Sequence, residues 1–89
     1  MPGVMTDRTI RLRLHANLRD AAGTDAIDVV VPAVATPRDA FHAAVARVPA
    51  LAAWSAAVAF GSDDRLLAAD AAIPGGLTEL HALPPVSGG

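Results

Sequence analysis

The clearest alternation in the chain runs from Thr9 to His15. Ile10, Leu12 and Leu14 fall on one face, and Arg11, Arg13 and His15 on the other. A period of two over this length predicts a half-buried strand. Asn17-Leu18-Arg19-Asp20-Ala21-Ala22-Gly23 then reads as a helical turn closed by glycine, and Thr24-Asp25 turns the chain. Ala26 to Val31 predicts a second strand with Ile27, Val29 and Val31 inward, ended by Pro32. So short a connection favours an antiparallel pair.

The period then changes. Thr36-Pro37-Arg38-Asp39 carries the marks of a helix start: a capping threonine, a proline at the first helical position and an acid at the reciprocal capping position. The helix is expected to run to about Val48, where Pro49 stops it, with Phe41, Ala44, Val45 and Val48 as its apolar stripe. Leu51 to Ala56 predicts a short helical piece with Trp54 packed beneath it. Ala57 to Phe60, Arg65 to Leu67 and Glu79 to Leu83 read as three further strands. Gly61-Ser62-Asp63-Asp64 and Ile73-Pro74-Gly75-Gly76 are the turns between them. Two hairpin-like strands, one main helix and then short strands predict an α+β domain, with the helix on one face of a mixed sheet. That is the order of the β-grasp, or ubiquitin-like, fold. Residues 1–8 read as a flexible leader, 9–83 as the domain and 84–89 as an extended C-terminal tail.

Composition narrows the picture. The chain has 89 residues, enough for one small domain with one shallow core. It is 53% hydrophobic but only 3% aromatic, because much of its apolar content is alanine. The larger core candidates are Ile10, Leu12, Leu14, Leu18, Ile27, Val29, Val31, Phe41, Val45, Val48, Leu51, Trp54, Val58, Phe60, Leu66, Leu67, Ile73, Leu77, Leu80 and Leu83. A net charge of −2 leaves no basic footprint for nucleic acid. All seven positive residues are arginine, so the chain offers no lysine of its own as an acceptor. Without cysteine it has no disulfide, thiolate metal site or thiol nucleophile. Its apolar runs are short and interrupted, so no membrane span is expected and a cytoplasmic location is the default.

The chemistry-bearing feature is the end, Leu83-Pro84-Pro85-Val86-Ser87-Gly88-Gly89. Gly88 and Gly89 have no side chain beyond Cα, so this end can thread a slot too narrow for other residue pairs. Pro84 and Pro85 fix their own φ, and Pro85 biases Pro84 toward an extended form. A stiff spacer before a thin, supple end suits delivery of a C-terminal carboxylate into another protein's active site.

With this end, the first strand running into Ala16-Asn17-Leu18-Arg19-Asp20-Ala21-Ala22-Gly23 and the Thr36-Pro37 helix start, the chain resembles the MoaD/ThiS family of ubiquitin-like sulfur carriers. The Pro-Pro-Val-Ser-Gly-Gly form is similar to its molybdopterin synthase branch. Departures fall at Phe60-Gly61 and Leu77-Thr78-Glu79, in stretches read as turns. The resemblance implies that an ATP-dependent activating enzyme adenylates Gly89 and that a persulfide converts it to a thiocarboxylate. The molybdopterin synthase large subunit then accepts the tail and directs the sulfur to cyclic pyranopterin monophosphate, within a heterotetramer. Gly89 would be the reactive group, Gly88 its clearance, and Ser87, Val86, Pro85 and Pro84 would position the tail. No catalytic residues of its own and no bound cofactor are implied, since the larger subunit supplies the acid–base groups.

Two other functions stay open: sulfur carriage for thiamin, cysteine or tRNA thiolation, and a ubiquitin-like modifier or binding module. Other candidate sites read more simply. His15, His42 and His81 do not fall at metal-ligand spacing and read as surface or partner-contact residues, so no metal site is expected. Asp63-Asp64 reads as a solvated turn. Arg11, Arg13 and Arg19 read as part of a solvated sheet face rather than a basic patch. Trp54 reads as core. Ser55, Ser62 and Ser87 lack a His–Asp setting.

Overall fold

The computed structural model describes residues 7–63 and 65–84. Strand β1 (Asp7–Leu14) leads into helix α1 (Asn17–Ala22) and strand β2 (Ala26–Pro32). Helix α2 (Pro37–Arg47) and a 3-10 helix (Pro49–Trp54) follow, then strands β3 (Ala59–Gly61), β4 (Leu66–Leu67) and β5 (Glu79–Leu83). The five strands form one sheet in the order β2-β1-β5-β3-β4. β1 and β5 run parallel, and every other neighbouring pair is antiparallel. This is the mixed sheet of a β-grasp fold, with α2 packed against its inner face.

Each local signal has a structural counterpart. Gly23 closes α1 at φ 73°, a left-handed position that spares a Cβ clash, and its N–H caps Arg19 O. Thr36 caps α2: its hydroxyl accepts from Asp39 N at 3.2 Å while Thr36 N donates to Asp39 Oδ2 at 3.0 Å. Two of the helix's orphan donor groups are thereby satisfied reciprocally.

The core is Ile10, Leu12 and Leu14 of β1, Ile27, Val29 and Val31 of β2, Phe41 of α2, Leu80 of β5, and Leu18, Leu51, Phe60 and Ile73 around them. It also holds Ala35, Ala40, Ala44 and Ala82, which volume alone would not nominate. Their small side chains let α2 approach the sheet closely. The buried stripe of α2 is Pro37, Ala40, Phe41 and Ala44, the i, i+3, i+4, i+7 face of a helix. Val45 and Val48, expected on that stripe, are half-buried on its flank. Trp54 is likewise half-buried against the core rather than beneath it.

Several boundaries differ from the alternation. β1 begins at Asp7, so Asp7 and Arg8 belong to the sheet rather than to a leader; residues 1–6 lie outside the described residues. Arg8 shares the inward phase of Ile10, and at the strand's end its guanidinium reaches the loop before β5. It donates to Ile73 O at 3.1 Å, Pro74 O at 2.8 Å, Gly75 O at 3.4 Å and Leu77 O. β2 includes Pro32. The second helical piece starts at Pro49 and is a 3-10 helix. Phe60 lies in a strand as expected, and Gly61, expected in the turn, is the last residue of β3. Leu66 is 74% exposed rather than core, because the antiparallel pairing sets it opposite Gly61 while Leu67 opposes buried Phe60.

Candidate functional site at the root of the tail

The strand that carries the tail lies inside the sheet. β5 is bonded to β1 on one side and to β3 on the other, so its direction is fixed from both flanks. Leu80 and Ala82 point into the core, and Glu79, His81 and Leu83 take the outer face away from α2. Pro84 is the last described residue and is half-buried. Pro85, Val86, Ser87, Gly88 and Gly89, the rest of the expected site, lie outside the described residues.

A groove of about 410 Å³ opens on the outer face beside this root, with Leu83, His81, His15, Gly61 and Leu66 among its lining residues. A Cβ on Gly61 would stand 3.1 Å from Arg65 O, so any larger residue there would have to push the β3–β4 turn outward by a few tenths of an ångström. The exposed Leu66 side chain forms one apolar wall.

The polar wall is one that spacing did not reveal. His15 Nε2 and His81 Nδ1 are 2.8 Å apart. The ring centroids are 5.1 Å apart at 26°, about the N···N distance plus one ring radius on each side. The rings therefore meet edge to edge through a hydrogen bond rather than face to face; one nitrogen donates and the other accepts. Beyond His81, its Nε2 lies 3.3 Å from Asp63 Oδ1. The parallel register sets Arg13 beside His81 and carries His15 to the same edge. Ala16, with φ 50° and ψ −122°, makes the turn that follows, closed by Leu18 N donating to His15 O at 3.1 Å. That is the second position of a mirror-image turn, which normally selects glycine. His42 stays apart, exposed on α2.

The arginines of the outer face are paired rather than free. Arg11 meets Asp28 at 3.0 Å and Arg13 meets Glu79 at 2.8 Å. Hydrogen bonding from Arg11 holds the Asp28 carboxyl below the usual carboxylate range. Arg19 is exposed on α1. The reading of a solvated, charge-balanced face holds for Arg11 and Arg13. The β2 edge is blunted against strand addition. Ala26 O accepts from Thr24 Oγ1 at 3.3 Å, Asp28 O from Arg47 Nη1 at 2.6 Å and Pro32 O from Ala35 N at 3.0 Å. Among the described residues no helix is long and apolar enough to cross a membrane.

No protein-family model matches the chain, and no curated protein matches it. Solved structures do. The crystal structure of SAMP1 from Haloferax volcanii superposes with a TM-score of 0.73 at 30% identity, covering 91% of this chain and 99% of that one. A second crystal structure of small archaeal modifier protein 1 from H. volcanii gives 0.73 at 27%, covering 89% and 99%. The solution structure of SAMP1 from Methanosarcina acetivorans shares the fold, with a TM-score of 0.62 at 22% over 94% and 99%. The chain belongs to the small archaeal modifier protein 1 family, ubiquitin-like β-grasp proteins related to the MoaD/ThiS sulfur carriers.

Proposed function

We propose that the chain is the sulfur-carrier subunit of a molybdopterin synthase, loaded as a thiocarboxylate on Gly89. The observation that carries this reading is the Leu83-Pro84-Pro85-Val86-Ser87-Gly88-Gly89 end, set on a strand anchored from both sides. An internal strand gives the tail a fixed origin, and two prolines in sequence leave a chain few conformers to lose on entering a partner's site. Glycines at the tip remove side-chain bulk where an acyl group must enter a partner's site.

The chemistry balances as follows. The Gly89 carboxylate attacks the α-phosphorus of ATP on an adenylating enzyme, forming an acyl adenylate and releasing pyrophosphate. A protein persulfide displaces AMP, and a thiol cleaves the resulting acyl disulfide to leave the thiocarboxylate. On the large subunit the thiocarboxylate sulfur bonds to a side-chain carbon of cyclic pyranopterin monophosphate, and water then cleaves the acyl–sulfur bond, leaving sulfur on the pterin and returning the Gly89 carboxylate. ATP is a co-substrate of the activating enzyme and is not held by this chain. A dithiolene takes two sulfurs, so charged carriers act in succession.

A second reading is favoured by the names of the structural neighbours: a protein modifier whose tail forms an isopeptide bond. The sulfur chemistry could also serve thiamin, cysteine or tRNA thiolation. One measurement separates the classes. Trypsin cuts after Arg65, and the peptide that follows contains no methionine to mimic the mass change by oxidation. A sulfur-for-oxygen shift on that peptide supports the carrier. A branched peptide on lysines of other proteins supports the modifier. An unmodified peptide after incubation with ATP, activating enzyme and sulfur donor overturns both. Sulfur transfer to cyclic pyranopterin monophosphate with a large subunit then tests the pathway.

A further inference from the structure

Among the described residues, one group of histidine and carboxylate side chains converges: a ligand atom each of Asp63, Glu79 and His81 lies within 4.8 Å of the others. Three elements of the fold build it. Glu79 and His81 are two residues apart on β5 and share its outer face. Asp63 arrives from the β3–β4 turn, which Gly61 holds close to the sheet. His15 follows β1, β5's parallel neighbour.

The orientation of His81 carries the argument. Its Nδ1 faces His15 Nε2 at 2.8 Å, so the ring is fixed from behind. Ligating imidazoles are characteristically held in this way through their second nitrogen, which sets tautomer and aim. The front nitrogen, Nε2, is 3.3 Å from Asp63 Oδ1. That is a long hydrogen-bonding contact. It matches the separation of two neighbouring ligands on a tetrahedral ion with bonds of about 2.0–2.1 Å. Glu79 is also held: Arg13 Nε donates to its Oε2 at 2.8 Å, and a carboxylate keeps lone pairs beyond the one that accepts this bond.

We propose that His81 Nε2, Asp63 and Glu79 bind one divalent ion of the zinc class, with His15 and Arg13 as positioning residues. Two carboxylates and a neutral imidazole give the site the negative charge a cation needs, and water completes the coordination. The imidazole selects zinc-class ions over magnesium and calcium, which favour all-oxygen sites. The bound ion ties the β3–β4 turn to β5 along the wall of the groove at the tail's root. This inference is independent of the sulfur-carrier reading, because its test involves no sulfur and no activating enzyme.

The test uses the full chain and zinc ion alone. Isothermal titration is expected to show saturable one-to-one binding, with magnesium giving none at the same concentration. Imidazole nitrogen spectra are expected to show zinc moving His81 Nε2 and leaving His42 unmoved. His81→Gln should abolish saturable binding. His15→Ala should weaken it by about 10- to 100-fold without abolishing it, the usual cost of losing a ligand's orienting partner, and His42→Gln should change nothing. Absence of saturable binding overturns the proposal. Zinc binding that leaves His81 Nε2 unmoved in the wild-type protein also overturns it, whether or not the variants fold.

Discussion

Phe41 of α2 meets Phe60 of β3 edge to face, with ring centroids 6.1 Å apart and planes at 70°. In a chain with few aromatic residues, this pair joins the helix to the strand beside β5. Phe41 is 1% exposed and Phe60 3%. Phe41→Ala is expected to destabilise the fold by about 3–5 kcal/mol, from lost transfer energy and the cavity left behind. In a double-mutant cycle of Phe41→Leu and Phe60→Leu, urea unfolding should reveal a coupling of about 0.5–1.5 kcal/mol. Strict additivity would show that the rings merely share the core.

Arg8 provides a more local prediction. Its guanidinium gathers the carbonyls of Ile73, Pro74, Gly75 and Leu77, fixing the loop that delivers β5. Arg8→Ala should cost about 1.5–3 kcal/mol, the range for hydrogen bonds to a charged group. Amide exchange should rise at residues 75–78 more than in α2. Unchanged protection in that loop would refute the clamp.

Ala16 predicts an unusual sign. An alanine held at φ 50°, ψ −122° sits in a sparsely populated region that costs about 1–3 kcal/mol, while glycine there would add unfolded-chain entropy worth about 0.4–1 kcal/mol. Ala16→Gly is therefore expected to leave the urea midpoint unchanged or raise it, and Ala16→Val to lower it. A glycine variant clearly less stable than the wild type would contradict the turn geometry.

The exposed ion pairs set the acid limb. Hydrogen bonding from Arg11 lowers the Asp28 pKa, and hydrogen bonding from Arg38 lowers that of Asp70. A carboxyl with a folded-state pKa below its unfolded value of about 3.9 binds fewer protons when folded. Its contribution is fully present above that value and is lost as pH falls through the folded pKa. Stability from these pairs should stay level from neutral pH down to about pH 4 and decline below it, less steeply at high salt because both pairs are exposed. Denaturation midpoints of an Asp28→Asn, Asp70→Asn variant should show a shallower acid limb. An acid limb identical to the wild type's would remove these pairs from the explanation.

The tail predictions separate folding from function. Glycine brings no side chain to a core, so Gly88→Val and Gly89→Ala are expected to leave the melting temperature unmoved. Sulfur loading by the activating enzyme and transfer by the large subunit should fall sharply. Full transfer by either variant in a reconstituted assay would refute the proposed function.

The local parts of the fold, and the residue make-up of the end, were legible from short-range pattern alone. Alternation around Ile10, Leu12 and Leu14, the Thr36-Pro37-Arg38-Asp39 cap and the Gly23 stop act over a few residues. Steric and hydrogen-bonding rules at that range leave little choice. The Pro-Pro and Gly-Gly character of the end is likewise a property of the residues themselves. The features that needed the whole fold depend on which strands become neighbours. His15 and His81 are 66 residues apart and touch because β1 and β5 pair in parallel; no periodicity within either strand encodes that register. Arg8 reads as part of a leader, and only its pairing with Val31 of β2 and its carbonyl partners in the loop before β5 place it in the sheet. Leu66 reads as apolar in isolation and is exposed because a two-residue edge strand can bury only one of its leucines. The alanines at 35, 40, 44 and 82 enter the core for the converse reason: α2 comes close to the sheet only where side chains are small, and closeness is a property of two surfaces together.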